Sequence, residues 1–246
     1  LFLGEKADLD TVDGRMRVRT KVNETVVDSV LVSLGRRPNI DNLGLETLGI
    51  ELSAQGLPPV DPHTMQIADM PVFMAGDIND HKPLLHEAAD EGHIAGINAT
   101  RAAPVRFTRR TPLSIVFSDP GIAAIGSRLS SLDVNKTLMG EVQFKHQGRA
   151  MAGQRNKGVL RLYAQSETGR LLGAEMCIPA AEHMAHLLAL AVGRSLTVHE
   201  MLRMPFYHPV LEEGLRTALR GLSKQLPSCG ESDLAGCEAF DAEALD

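Results

Sequence analysis

Five short stretches, LSIVFS (113–118), GIAAIGS (121–127), GEVQFKHQ (140–147), GVLRLYAQ (158–165) and LLGAEMCI (171–178), followed by FYHPVLEEGLRTALRGL (206–222), decide the fold. Each of the five is a short apolar run bounded by Gly, Pro, Asp or Ser, the pattern of a strand between turns. The segments at 180–193 and 198–202, and the run after His208-Pro209, place apolar residues at helical spacing instead. Several antiparallel strands followed by helices predict an α+β domain. Thr197 and Glu200 form the Ser/Thr-x-x-Glu pattern that satisfies free amides at a helix start, which is a structural role.

Working outward, MRVRTKV (16–22) alternates and VVDSVLVSLG (26–35) is nearly continuously apolar, so residues 11–34 read as two strands around a turn and then an apolar strand. That is the tail end of a sheet. GRRPNIDNLGLETLGI (35–50) and SAQGLPPVDPHT (53–64) are dense in turn formers and predict a passage between domains, with a boundary near Pro38. MPVFMAGD (70–77) reads as a buried strand ending in Gly-Asp, and PLLHEAADEGHIAGINAT (83–100) as a helix with Pro83 in its first turn. The basic, proline-bounded PVRFTRRTP (104–112) links the two parts. The acidic, weakly periodic stretch KQLPSCGESDLAGCEAFDAEALD (224–246) reads as a mobile tail.

Composition narrows the function classes. The chain has 246 residues, 43% of them hydrophobic, enough to bury a good core. Aromatic content is 4% with no Trp, and the net charge is -6, so stacking surfaces are scarce and phosphate backbones are poor partners. Nucleic acid is excluded on these grounds. No apolar run has the length of a membrane span, and the start LFLGEKADLD lacks a basic segment and a cleavage pattern, which predicts a cytoplasmic protein. Cys177, Cys229 and Cys237 are too few and scattered for a disulfide scaffold or a four-ligand zinc site, so no metal centre and a reducing compartment are expected. There is no initiator Met and the sequence opens inside strand-like residues, which predicts a portion of a longer protein.

Taken in order, SLGRRPN (33–39), VFMAGD (72–77), LLHEAADEG (84–92), FSDPGIAAIG (117–126) and HPVLEE (208–213) resemble the dihydrolipoyl dehydrogenase family of class I pyridine nucleotide-disulfide oxidoreductases. The resemblance runs over residues 28–222, and the ordered set is far more specific than any one motif. It implies that residues 1–38 close an NAD-binding domain and that residues 39–105 are the returning segment of an FAD-binding domain. Residues 106–222 would then be an α+β interface domain that forms a homodimer, and 223–246 a mobile tail. The family's flavin Gly-rich turn, redox Cys pair and NAD Gly-rich turn have no counterpart in these residues. GRRPN lacks the strand, three glycines and helix start of a dinucleotide fingerprint. The chain alone is therefore expected to be inactive and to hold FAD weakly or not at all.

The resemblance also implies site residues. Asp77 would hold the flavin's ribityl chain, although Gly-Asp after a strand is by itself a common turn. Leu84, Leu85 and His86 would bring their backbone to the flavin ring, where a helix start favours the negative charge that reduction creates. An ordinary core helix accounts for the same residues. Gly35 and Arg36 resemble positions near NAD, and a strand-ending Gly with a solvated Arg explains them equally well. His208 would take a proton from the dihydrolipoamide thiol as that thiol attacks the disulfide of the partner subunit, with Glu213 five positions on to orient it. Glu212 is adjacent, but the family spacing and helix geometry favour Glu213. The His208-Pro209 bond resembles one that is cis in relatives, and Tyr207 departs from the residue usual before it. Cys229 and Cys237 do not have the spacing of the C-terminal cysteine pair some members carry.

The expected activity is oxidation of dihydrolipoamide, free or on a lipoyl domain, with NAD, by an FAD enzyme of which this is the C-terminal half. Two alternatives stand beside it: a non-catalytic dimerisation fragment, and the same half of a glutathione- or mercuric-reductase-like enzyme.

Overall fold

A computed structural model describes residues 3–79 and 81–227. The chain divides between Pro104 and Val105 into two compact units.

The first unit opens with a three-stranded antiparallel sheet, β1 (Asp8–Val12), β2 (Arg15–Arg19) and β3 (Glu24–Val27), in the order β1-β2-β3. Asp13 and Gly14 both take positive φ, 50° and 75°, which closes the β1-β2 hairpin in the two-residue turn whose twist suits antiparallel strands. Asp10 on β1 accepts from Arg17 and pairs with Arg19, both on β2, so charge complements the register across this exposed ribbon.

The apolar strand expected over 26–35 does not form beyond Val27. Residues 28–40 carry no regular structure, and Leu31 and Leu34 are 95% and 93% exposed. An apolar run becomes a strand only beside hydrogen-bonding neighbours, and among the described residues no strand lies next to this one. The buried strand expected over 70–77 is likewise replaced by extended chain held through the isolated bridges Val60↔Ile67 and Gln66↔Phe73. Met65, Ile67 and Met74 are nevertheless buried there. Helix α1 (Leu85–Ala99) follows, starting just after Pro83.

The second unit is built on a five-stranded antiparallel sheet: β4 (Leu113–Val116), β5 (Gly121–Gly126), β6 (Thr137–Gln143), β7 (Val159–Gln165) and β8 (Leu171–Ile178). Its order is β4-β5-β8-β7-β6. Alternation sends Leu160, Leu162, Ala174, Met176 and Ile178 to the buried face. Helices α3 (Ala181–Gly193) and α5 (Glu212–Ser223) cover that face, α3 over β5 and β8, and α5 over β6 and β7. Leu188, Leu215, Leu219 and Leu222 complete the core. The short helices α2 (Gly148–Ala152) and α4 (Val198–Leu202) serve as spacers, and α4 opens with a complete Thr197/Glu200 capping box. The whole is the expected mixed fold: a unit with a small antiparallel sheet and a helix, then an α+β unit with an antiparallel sheet.

Gly140 shows why α5 lies where it does. A Cβ on Gly140 would stand 2.4 Å from the carbonyl oxygen of Ala218, so β6 and α5 approach through a position that only glycine can occupy.

Candidate functional site

In the second unit, the segment between α4 and α5 carries the cis peptide His208-Pro209 and leads into Glu212 and Glu213 at the start of α5. Its path is fixed from below by Gln147, a buried side chain whose Nε2 donates to the carbonyl of Val210 at 2.6 Å and whose Oε1 accepts from the amide of Ala150 at 2.6 Å. The amide of Val210 donates to Glu213 Oε2 at 3.2 Å, which holds the carboxylate beside the loop.

The other oxygen of Glu213 lies 2.9 Å from His208 Nδ1. The hydrogen bond from the imidazole, followed by that from the Val210 amide, keeps the Glu213 carboxyl below its ordinary value of 4.5. An ionised carboxylate can only accept, so Nδ1 carries the hydrogen, and in the neutral ring the lone pair is on Nε2. The His208 side chain is 79% exposed, so that lone pair faces outward rather than into its own core. A neighbouring carboxylate also stabilises the imidazolium that forms when Nε2 takes a proton. Arg216, one turn into α5, lies 5.5 Å over the ring of Phe206 and ties the loop's upstream end to the helix.

In the first unit, Asp77 is the first residue of a 3-10 turn, Asp77–Asn79, that ends the extended VFMAG stretch. Arg36 Nη1 donates to Asp77 Oδ2 at 2.7 Å and Nη2 donates to the carbonyl of Pro83 at 2.6 Å. Gly76 takes φ 80°, the left-handed region that favours glycine, and the turn lies in contact with α1: a Cβ there would stand 3.4 Å from that of Ala88. Leu84 caps α1 with extended backbone, Leu85 and His86 are exposed, and the first intrahelical bond runs from Ala88 N to Leu84 O at 2.9 Å.

Of the residues singled out from sequence, His208 meets Glu213, and Glu212 does not take part in that bond. Asp77 is drawn by Arg36 to the chain that leads into Leu84, Leu85 and His86. Gly35 has φ 95° and open space where a Cβ would stand, and it lies in the irregular 28–40 segment. Cys177 is a free, partly exposed thiol on β8, and Cys229 and Cys237 lie outside the described residues, as does most of the tail. Two contributors carried no sequence signal: Gln147 beneath the His208 loop, and the buried Glu91, which accepts from the amide of Gly76 at 2.8 Å. Arg36 was singled out from sequence, but its pairing with Asp77 was not.

Residues 113–219 match the dimerisation domain of pyridine nucleotide-disulphide oxidoreductases, and residues 5–92 match the family's other domain model, pyridine nucleotide-disulphide oxidoreductase. The chain belongs to the pyridine nucleotide-disulphide oxidoreductase family. It is 33% identical over 214 residues to dihydrolipoyl dehydrogenase from Geobacillus stearothermophilus, covering 85% of this chain and 44% of that protein. It is also 30% identical over 222 residues to mercuric reductase from Shigella flexneri, covering 88% of this chain and 39% of that protein. The chain thus spans less than half the length of these curated relatives. Among solved structures, LpdA from Mycobacterium tuberculosis superposes with a TM-score of 0.75 at 25% identity, covering 88% of this chain and 48% of that one.

Membership in this oxidoreductase family implies FAD and a pyridine nucleotide in full-length relatives. The donor set in the first unit fits a flavin. Asp77 is a partly exposed carboxylate able to accept from hydroxyl groups, and Arg36 is an exposed cation beside it. The amides of Leu85 and His86 precede the first intrahelical bond, so the helix start can face a group that gains negative charge. Among the described residues no helix is long and apolar enough to cross a membrane.

Proposed function

We propose that this chain is the C-terminal half of an FAD-dependent disulfide oxidoreductase most like dihydrolipoyl dehydrogenase. In this reading residues 1–38 close the NAD-binding domain, 39–105 return to the FAD-binding domain, and 106–222 form a twofold homodimer in the cytoplasm. The observation that carries it is the 2.9 Å contact between His208 Nδ1 and Glu213 Oε1, with the opposite nitrogen turned outward.

His208 acts as acid and base. Its Nε2 accepts the proton of a dihydrolipoamide thiol, and the resulting thiolate attacks the redox disulfide of the partner subunit, breaking it to a mixed disulfide and a free cysteine thiolate; the second substrate thiol then breaks the mixed disulfide, which leaves lipoamide oxidised and the cysteine pair reduced. Glu213 fixes the tautomer and balances the charge on the imidazolium until the proton leaves. In the first unit, Asp77 accepts from the ribityl hydroxyls, while the amides at Leu84, Leu85 and His86 face the flavin ring and Gly35 lies near NAD. When bound, FAD would relay the electron pair from the reduced cysteine pair to NAD. Because the redox cysteines and both Gly-rich turns lie in the other half, the chain alone is inactive and serves as a dimer-forming module.

A second reading, the same half of a mercuric- or glutathione-reductase-like enzyme, keeps its place because mercuric reductase is as similar to this chain as several of the dihydrolipoyl dehydrogenases are. The test uses the complete protein that carries this chain, assayed for dihydrolipoamide-dependent NADH formation beside glutathione disulfide and mercuric ion as substrates. His208→Gln is expected to lower turnover of dihydrolipoamide by about 100-fold or more. Unchanged turnover in that variant would remove His208 from the mechanism, and turnover of only one of the other two substrates would move the assignment to that branch.

A further inference from the structure

The face that α1 turns inward is unusually polar. Its buried positions are Glu87, Glu91, Ile94 and Asn98, so three of four carry a carboxylate or an amide. A buried carboxylate is strongly unfavourable unless hydrogen bonds compensate it. Glu91 is 0% exposed, and a single oxygen, Oε2, accepts from the amide of Gly76 at 2.8 Å and from Asn79 Nδ2 at 2.9 Å.

Those two donors bracket Asp77. Gly76 precedes it, and Asn79 closes the turn with its own amide donating to the carbonyl of Gly76 at 3.0 Å. One buried oxygen therefore holds a backbone amide just before, and a side-chain amide two residues after, the residue that meets Arg36 and carries the exposed carboxylate.

The geometry points to Glu91 as a positioning residue, whose carboxylate fixes the Gly76–Asn79 turn and thereby the direction in which Asp77 meets the flavin's polyol chain. This rests on the reading of Asp77 as a flavin contact. Glu91 reaches the cofactor only through Asp77, so the two residues are energetically coupled, which a double-mutant cycle measures.

The experiment takes the complete FAD-loaded protein and determines the FAD dissociation constant together with the visible circular dichroism of the bound flavin. The set is wild type, Glu91→Gln, Glu91→Ala, Asp77→Ala and the Glu91→Ala/Asp77→Ala double variant. A glutamine oxygen can stand where Oε2 does and accept from both donors, so Glu91→Gln is expected to hold FAD within about twofold of wild type. Glu91→Ala is expected to weaken FAD by about tenfold and to change the flavin's dichroism, and in the Asp77→Ala background to add nothing. Wild-type FAD retention in Glu91→Ala would overturn the inference, as would an equal loss in both backgrounds, which marks a general stability effect. Unchanged retention in Asp77→Ala would instead sink the reading of Asp77, and this inference with it. If Glu91→Ala does not fold, Asn79→Ala removes one donor at a partly exposed position. It is expected to weaken FAD by about threefold, again only when Asp77 is present, and an additive effect overturns the proposal.

Discussion

Gly214 lies so close to Phe144 that a Cβ built on the glycine would stand 2.9 Å from the ring's Cζ. Phe144 is fully buried and cannot swing aside cheaply. Replacing a helical glycine with alanine ordinarily stabilises by about 0.5–1 kcal/mol. Here the opposite sign is expected: Gly214→Ala should lose about 1–3 kcal/mol through overpacking. Urea unfolding measures it, and a gain in stability would show that the ring yields. The same substitution should lower turnover in the complete protein, because Gly214 adjoins Glu213.

The bond between His208 and Glu213 sets a pH dependence. The Glu213 carboxyl is held below its ordinary 4.5, so it contributes stability that is fully present above that value and is lost as pH falls through the lowered one. The part of the stability difference between wild type and Glu213→Gln that comes from this carboxylate should therefore shrink as pH drops below the ordinary value. Unfolding curves taken at a series of pH values below 4.5 check this, and a difference that grows over that range would contradict the assignment.

Gln147 supports the histidine loop by bonding Val210 on one side and capping α2 on the other. Gln147→Ala should cost about 1–3 kcal/mol, the range for leaving a buried polar group without its partner. In the complete protein it should reduce kcat for dihydrolipoamide while leaving bound flavin unaltered. Loss of flavin in this variant would show damage reaching beyond the loop.

Thr197 supplies a control. Its side chain accepts from the amide of Glu200 while Glu200 accepts from the amide of Thr197. Thr197→Ala should cost about 0.5–2 kcal/mol and leave turnover intact. Thermal melting and a standard assay suffice to compare the two, and a lost activity would mean that α4 steers the site directly.

Much of the second unit could be read from its sequence. LLGAEMCI is β8 from end to end, α3 begins one residue from the predicted start, and the Thr197/Glu200 pattern forms its capping box. Each of these depends on local periodicity or on partners within one turn. His208 and Glu213 were singled out by the family resemblance rather than by periodicity, and the loop and the helix after it bring these positions, five apart, within hydrogen-bonding distance. The runs at 26–35 and 70–77 were misread because their strand character depends on neighbours that apolar sequence does not name. Arg36 and Asp77 are 41 positions apart, and Glu91 and Gly76 are 15 apart, so only tertiary packing joins them.

The polar inner side of α1 has a consequence for how this part of the molecule opens. Asn98 donates to the carbonyl of Thr64, Glu91 accepts from Gly76, and Met74 and Met65 are joined by a main-chain bond between them. The irregular 61–79 segment is thus laced to a helix at both of its ends instead of belonging to a ladder. Amide exchange should report the helix and the segment as one cooperative foldon with a shared opening free energy, because neither can detach without stranding the other's buried donors.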